Sequence, residues 1–461
     1  MHFINTPQGN PTPITPVTKS ALKSFIASKD HKVQSWLKSI DFSAKAGQLA
    51  MIPGDDGKLS RILFGIAPHE YIWGMAELPK TLPAGTYFLD DIAGLLQGKN
   101  LDLATIGWGL GNYIFDQYKT HNCQHIELVF PPGVNKLAIE NILDAIYLVR
   151  DLINTPAKDL GPEELAGNAA DLAKNFNGDC STIVGEELLS QGFPAIYAVG
   201  ASSHRDPLLI DLTWGDIDAP KLTLIGKGVC FDTGGLNLKT AHNMKLMKKD
   251  MGGAAHALGL SMAIMKSNLP VRLRTLIPAV DNAVGPRSLK PLDVIKARNG
   301  ITIEIGHTDA EGRVILADAL ALASEEDPDL ICDFATLTGA ARIALGTDIP
   351  ALFTNSEEWA KLLLDEGEAA SDRLWRLPLW HGYNELLMSP NADITNEPKS
   401  PYGGAITASL FLERFIKKQI PWCHVDLMGW NSTQRPGRPE GGEAMGLRTF
   451  FNAFENYFTP K

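Results

Sequence analysis

The chain is short of cysteine, of long apolar runs and of basic charge, and each shortage excludes something. Its five cysteines (Cys123, Cys180, Cys230, Cys332 and Cys423) are odd in number, scattered, and form no C-x-x-C pair. A disulfide framework or a thiolate zinc site is therefore not expected; free thiols in buried strands are. No stretch reaches the roughly 18 uninterrupted apolar residues of a membrane span. The start, Met1-His2-Phe3-Ile4-Asn5-Thr6-Pro7, lacks the basic beginning and apolar run of a secretory signal, so a cytoplasmic location is expected. Lys and Arg number 42 against 53 Asp and Glu, a net charge of −11. Such a balance opposes nucleic-acid and membrane partners, because both carry negative charge. It suits a cleft that collects cations, whether metal ions or protonated amines. Internal repeats, heptad runs and low-complexity tracts are missing as well.

What remains is an ordinary globular composition, 44% apolar and 21% charged, in 461 residues, more than one core usually serves. The reading is an α/β protein, with a small N-terminal α/β domain (1–134), a linker helix (135–154) and a larger catalytic α/β domain (155–461). The larger domain is expected to hold a central mixed sheet flanked by helices. Apolar runs 49–52 and 61–66 flank Pro53-Gly54-Asp55-Asp56-Gly57, a turn between two strands. Residues 101–118 have helical spacing, and 125–130 form a strand stopped by Pro131-Pro132-Gly133. Gly107-Trp108-Gly109-Leu110-Gly111 lacks the preceding strand and full spacing of a phosphate loop, so close helix packing is its expected use. Residues 135–153 are amphipathic, with Leu137, Ile139, Ile142, Ala145, Ile146 and Val149 on one side. A new helix starts near Gly161-Pro162-Glu163-Glu164. Beyond it, strands at 222–225, 271–278 and 330–335 alternate with helices such as 253–268, the mark of an α/β sheet. Ligands gather at strand C-terminal ends in such sheets.

Two polar clusters sit at those ends. The first runs Gly226-Lys227-Gly228-Val229-Cys230-Phe231-Asp232-Thr233-Gly234-Gly235, then Lys239, then Lys249-Asp250-Met251-Gly252-Gly253. The second is Gly306-His307-Thr308-Asp309-Ala310-Glu311-Gly312-Arg313. Each acidic residue lies in a glycine-rich bend after an apolar strand or before an apolar helix, where the backbone can turn sharply and approach a ligand. Asp232, Asp250, Asp309 and Glu311 converging there would be costly to bury unpaired. Two divalent cations would neutralise all four, and carboxylate oxygens suit zinc, manganese or magnesium. Taken singly, each aspartate is equally a solvated turn, Cys230 reads as core, and Lys245, Lys248 and Lys249 read as a solvated helix face.

In conjunction, the clusters resemble the leucyl aminopeptidase (cytosol aminopeptidase) family of metallopeptidases. His307-Thr308-Asp309-Ala310-Glu311-Gly312-Arg313 resembles its N-T-D-A-E-G-R, Phe231–Gly235 its F-D-S-G-G, and Asp250–Ala255 its D-M-G-G-A-A. Asp151-Leu152-Ile153-Asn154-Thr155-Pro156, Ala335-Thr336-Leu337-Thr338-Gly339-Ala340 and Gly403–Thr407 are further matches. The likeness covers about residues 145–455 and is faint over the first 130. It implies that Lys227, Asp232, Asp250 and Glu311 hold one metal, and that Asp232, Asp309 and Glu311 hold the other. Lys239 would polarise the scissile carbonyl and Arg313 would anchor a bicarbonate acting as general base. Met247, Thr336, Leu337 and Gly339 would line the substrate pocket. Implied too are two zinc or manganese ions, with magnesium an alternative, peptide substrates with a free N-terminus, and a homohexamer.

Departures from the family pattern stand at His307 (for Asn), Thr233 (for Ser) and Met428-Gly429-Trp430-Asn431 (for A-G-T-A). The last leaves leucine preference open. His307 is expected to hydrogen-bond around the site rather than ligate, and His424 to be structural. The competing readings are another two-metal hydrolase, disfavoured by the lack of His-x-His or Asp-x-His pairs, and a scaffold or DNA-binding protein, disfavoured by the acidic balance.

Overall fold

A computed structural model of the chain describes residues 3–7, 9–120 and 125–459; Cys123 lies outside them. The chain divides into two compact units, Met1–Leu143 with Thr433–Glu440, and Asp144–Ser432 with Gly441–Lys461.

The first unit is built on a six-stranded sheet. Its strands are β1 (Phe3–Ile4), β2 (Thr12–Val17), β3 (Leu49–Pro53), β4 (Leu59–Gly65), β5 (Gly85–Leu89) and β6 (Ile126–Val129), in the order β1-β6-β5-β2-β4-β3. All neighbours are parallel except β3 and β4, the hairpin around the Gly54–Gly57 turn. The glycines at 107, 109 and 111 are packing residues. They lie in helix α2 (Lys99–Gly111), which crosses α1 (Tyr71–Met75) so closely that a Cβ on Gly107 would stand 2.1 Å from Ile72 O, and one on Gly111 2.3 Å from Ala76 O. The helix expected over 101–118 stops at Gly111: the Asn112 amide donates to Trp108 O at 2.9 Å and takes up a carbonyl of the last turn.

The second unit carries a nine-stranded mixed sheet. Its strands are β7 (Asp179–Val184), β8 (Leu208–Trp214), β9 (Lys221–Gly226), β10 (Gly228–Asp232), β11 (Arg272–Asn282), β12 (Leu330–Ala335), β13 (Ala351–Thr354), β14 (Trp375–Arg376) and β15 (Trp422–Asp426). The order is β14-β13-β15-β12-β9-β11-β8-β7, with β10 continuing beside β11. Strands β15, β12, β9, β10 and β11 are mutually parallel, so their C-terminal ends share one edge; the antiparallel pairings are β13 with β15, β8 with β11 and β7 with β8, and β14 pairs parallel with β13. Parallel strands covered on both faces are apolar throughout, and β12 is buried at all six residues.

Helices complete the layers: α3 (Lys136–Asn154), α4 (Pro162–Asn175), α5 (Gly252–Lys266), α6 (Glu311–Glu325) and α7 (Leu447–Phe458). Helix α4 begins at its proline, with Glu164 accepting from Gly161 N at 2.8 Å, as a capping carboxylate does. On α3 the expected apolar face is buried except for Leu137, which is 62% exposed. The thiols of Cys230, Cys332 and Cys423 are buried and free, and Cys180 is half-buried on β7.

Candidate active site

The polar clusters meet at the C-terminal edge of the parallel strands. Lys227 follows β9, Asp232 ends β10, Thr336 follows β12 and Asp426 ends β15. The other carboxylates come from helix beginnings: Asp250 lies in the 3-10 turn Met247–Met251 leading into α5, and Asp309 and Glu311 lie at the start of α6. Helix N-termini favour negative charge, because their unpaired N–H groups point outward.

Glycines make the approach possible. Gly234 and Gly235 have φ of +90° and +64°, turning the chain back so that Lys239 N donates to Thr233 O at 2.9 Å. A Cβ on Gly253 would stand 2.0 Å from Phe334 O, so α5 can abut the sheet only there without a side chain. A Cβ on Gly312 would stand 2.4 Å from Lys227 Cε, which is the space the Lys227 stem occupies.

One oxygen each of Asp232, Asp309 and Glu311 lies within 4.8 Å of the others. Two lysines thread between the carboxylates. Lys227 Nζ is 2.7 Å from Asp250 Oδ2 and 3.0 Å from Glu311 Oε1, and Lys239 Nζ is 2.7 Å from Asp232 Oδ2 and 2.5 Å from Asp309 Oδ1. Both Glu311 oxygens are nevertheless buried without a hydrogen bond among the described residues, so the contact with Lys227 is ionic only. An ordinary buried carboxylate has its lone pairs satisfied.

The charges perturb one another. Burial, then the neighbouring Glu311 and Asp250, push the Asp232 carboxyl well above the usual carboxylate range, and burial raises Glu311. Burial also opposes the ammonium forms of Lys227 and Lys239, but the surrounding carboxylates outweigh it and hold both above the ordinary lysine value. Asp250 stays below the ordinary value, because Lys227 and Lys249 overcome its burial. Arg313 is buried; burial pushes it down to about 10, Nη1 donates to Asn396 O at 2.8 Å, and Nε has no hydrogen-bond partner among the described residues.

Every site residue read from the sequence lines one cavity of about 570 Å³: Lys227, Asp232, Lys239, Asp250, Asp309, Glu311 and Arg313, with Met247, Thr336, Leu337 and Gly339. His307 is turned from the carboxylates to the backbone, its Nδ1 accepting from Asp309 N at 3.2 Å. His424 is fully buried, its Nδ1 2.6 Å from Asp333 Oδ1, and is structural. The solvated reading of the lysine group fails for two of three. Lys249 is 3% exposed at the cavity wall, and Lys248 is half-buried, donating to Asn154 O and lying over the Trp430 ring. The 3-10 turn lies against the cavity with Met247, Lys249, Asp250 and Met251 all buried, so no solvated helix face forms there. Lys245 is exposed as expected.

Two asparagines went unnoticed in the sequence. Asn282 ends β11 and donates to Asp232 Oδ1 at 2.8 Å, orienting that carboxylate. Asn396 accepts from Gly306 N at 2.8 Å and donates to His307 O and Ala310 O, bracing the loop that carries Asp309. Only the position of Asn282 at the end of an apolar strand could have drawn attention to it.

The profile of the cytosol aminopeptidase family, catalytic domain, matches residues 147–451, and that of the M17 aminopeptidase N-terminal domain matches residues 12–131. The chain belongs to the cytosol aminopeptidase family. The N-terminal match also corrects the faint likeness seen in the first 130 residues. The chain is 39% identical over 358 residues to a probable cytosol aminopeptidase of Geobacter sulfurreducens, covering 74% of this chain and 72% of that one. The structure is similar to that of the cytosol aminopeptidase from Coxiella burnetii, with 49% identity, a TM-score of 0.96 and 99% of each chain covered. It is also similar to the bottromycin maturation enzyme BotP in complex with Mn, with 31% identity, a TM-score of 0.88, and 97% and 99% of the chains covered. Membership makes the chain an enzyme of the aminopeptidase class, with the two-part α/β architecture of its family. Among the described residues no helix is long and apolar enough to cross a membrane.

Proposed function

We propose that the 155–461 segment hydrolyses the N-terminal residue from peptides by a two-metal mechanism, in the cytoplasm. The observation that carries the reading is the triad of Asp232, Asp309 and Glu311 oxygens within 4.8 Å, with the Glu311 carboxylate buried and unbonded. The relative crystallised with manganese lends support. Four carboxylates and one lysine are a donor set that zinc, manganese or magnesium accepts. Lys227, Asp232, Asp250 and Glu311 would hold one ion, and Asp232, Asp309 and Glu311 the other. When bound, the ions supply Lewis acidity and lower the pKa of a bound water toward neutrality.

The chain's own residues do the rest. Lys227 can serve as a ligand only after losing its proton, which an adjacent dication favours by replacing the ammonium charge it now offers Asp250 and Glu311. Lys239 keeps its proton and donates to the oxygen of the scissile carbonyl as negative charge develops there. Arg313 presents a planar fork to a bicarbonate, the proton acceptor. Met247, Thr336, Leu337 and Gly339 hold the substrate, whose free amine is drawn to the carboxylate cluster, so attack is confined to the first peptide bond. The active form is a homohexamer.

The test is hydrolysis of aminoacyl amides by protein stripped of metal and then reloaded with Zn²⁺, Mn²⁺ or Mg²⁺, with N-acetylated substrates alongside. Activity that returns with metal and requires a free amine supports the reading. Full activity in metal-free protein, or equal rates on blocked and free substrates, overturns it. An active species that sediments as a monomer at micromolar concentration overturns the hexamer.

A further inference from the structure

Two cations lining the cavity, Lys249 and Arg342, make no salt bridge to a carboxylate among the described residues. Lys249 is 3% exposed, yet among the described residues its ammonium makes no ion pair and no hydrogen bond. Arg342, from the first turns of the helix Gly339–Leu345, is half-buried and meets no carboxylate among the described residues; its Nη1 lies 3.3 Å from the sulfur of Met428. Both side chains line the same cavity. The acidic groups that could serve them are engaged. Asp250 holds Lys227 at 2.7 Å and accepts from Thr336 Oγ1 at 2.8 Å. Asp426 accepts from Leu337 N, Thr338 N and Thr338 Oγ1 at 3.0, 3.1 and 2.5 Å.

Burying a charge without a partner is costly, so such charges are normally paired. Lys249 is such a charge and Arg342 stands half-buried at the same cavity; two cations there without a carboxylate in salt-bridge contact describe a receptor for an anion. We infer that Lys249 and Arg342 receive the side-chain carboxylate of a substrate whose N-terminal residue is aspartate or glutamate. The inference rests on the aminopeptidase reading of the same cavity, since that reading puts the N-terminal residue against the carboxylate cluster. The cations flank that cluster: Lys249 adjoins Asp250 in sequence, and Arg342 touches Met428, within the segment where this chain departs from the family pattern. A C-terminal carboxylate fits less well. Its distance from the scissile bond changes with peptide length, whereas this pair of cations is fixed.

The experiment uses the metal-loaded full chain and measures kcat/KM on the amides of Glu, Gln, Asp, Asn and Leu, none of which has a C-terminal carboxylate. Glu over Gln and Asp over Asn should each be favoured roughly tenfold or more, the worth of a hydrogen bond to a charged group in a desolvated site. The ratio should collapse toward one in Arg342→Gln and in Lys249→Met, and Arg342→Glu should turn the preference toward N-terminal Lys or Arg. Because each ratio is internal to one protein, partial loss of folded enzyme does not affect it, and Arg342→Gln decides alone if Lys249→Met does not fold. Leu-amide cleaved with no preference for Glu over Gln overturns the inference and leaves the aminopeptidase reading standing. So does a preference for Leu-Ala over Leu-Ala-amide that both variants abolish, since the cations would then be reading the far end of the substrate. If the metal-loaded protein cleaves none of these amides, both readings fall.

Discussion

Replacing Lys239 with methionine separates charge from bulk at the centre of the site. Without metal, the ammonium touches Asp232 and Asp309 and is largely enclosed, its side chain 13% exposed against 3% for Asp232. Methionine keeps most of the stem and removes the charge, leaving Asp232 and Asp309 without their ammonium partner beside Glu311 and Asp250, with Lys227 and Lys249 as the remaining cations. Breaking a buried pair by deleting one partner costs about 3–5 kcal/mol when the other stays charged. Asp232 can escape part of that by binding a proton, since burial and its acidic neighbours already hold its pKa high. A folded-state pKa above the unfolded one stabilises at low pH and loses that contribution as pH rises, so the deficit of the metal-free variant should grow as pH rises above the unfolded carboxylate value of about 4. With two divalent ions bound the missing charge is supplied, and the deficit should largely vanish. The rate should not recover: losing a donor to the developing oxyanion costs ~10²–10³ in kcat. The assay is thermal unfolding with chelator and with Mn²⁺ across pH, beside metal content by mass spectrometry and kcat. Metal loss as complete as in Asp232→Ala would make Lys239 a ligand, and unchanged kcat would remove its catalytic role.

Further outcomes follow from neighbouring residues. His256 on α5 donates from Nδ1 to Gly252 O at 2.6 Å and accepts at Nε2 from Met445 N at 2.8 Å, so it is satisfied only when neutral. Burial pushes its pKa down to about 4 from 6.5. Below pH 6.5 the unfolded chain binds a proton that the folded one refuses, so stability should fall by about 3 kcal/mol between pH 6.5 and 4. Urea unfolding should show that slope flattened in His256→Gln, and equal slopes would refute it. Gly253→Ala and Gly312→Ala should fail differently. The first meets backbone at Phe334 and should cost at least about 1–3 kcal/mol of stability. The second meets the flexible Lys227 stem, so it should weaken metal binding with a smaller change in melting temperature, read by calorimetry. A larger loss of stability in Gly312→Ala than in Gly253→Ala would contradict the packing argument.

Much of this site was legible before any coordinates because its chemistry is local in sequence. Glycine-rich bends after apolar runs announced where Asp232, Asp250, Asp309 and Glu311 would stand, and apolar runs and periods located β9, β12 and α5 to within a few residues. The sign of the total charge and the want of paired cysteines likewise needed only composition. Properties that depend on what a neighbour does were not legible. Helix α2 ends at Gly111 because the Asn112 side chain takes a carbonyl, although the apolar spacing runs on to 118. Leu137 carries the period of its helix and is still exposed. Lys249 reads as one of three surface lysines, and only the 3-10 turn before α5 drives it inward beside Asp250. Asn282 and Asn396 steady the carboxylates from strands and loops far away in sequence. Periodicity and turn chemistry are set within a few residues of chain. Burial, partner choice and charge balance are set by which distant segments meet, and those are what tertiary structure decides.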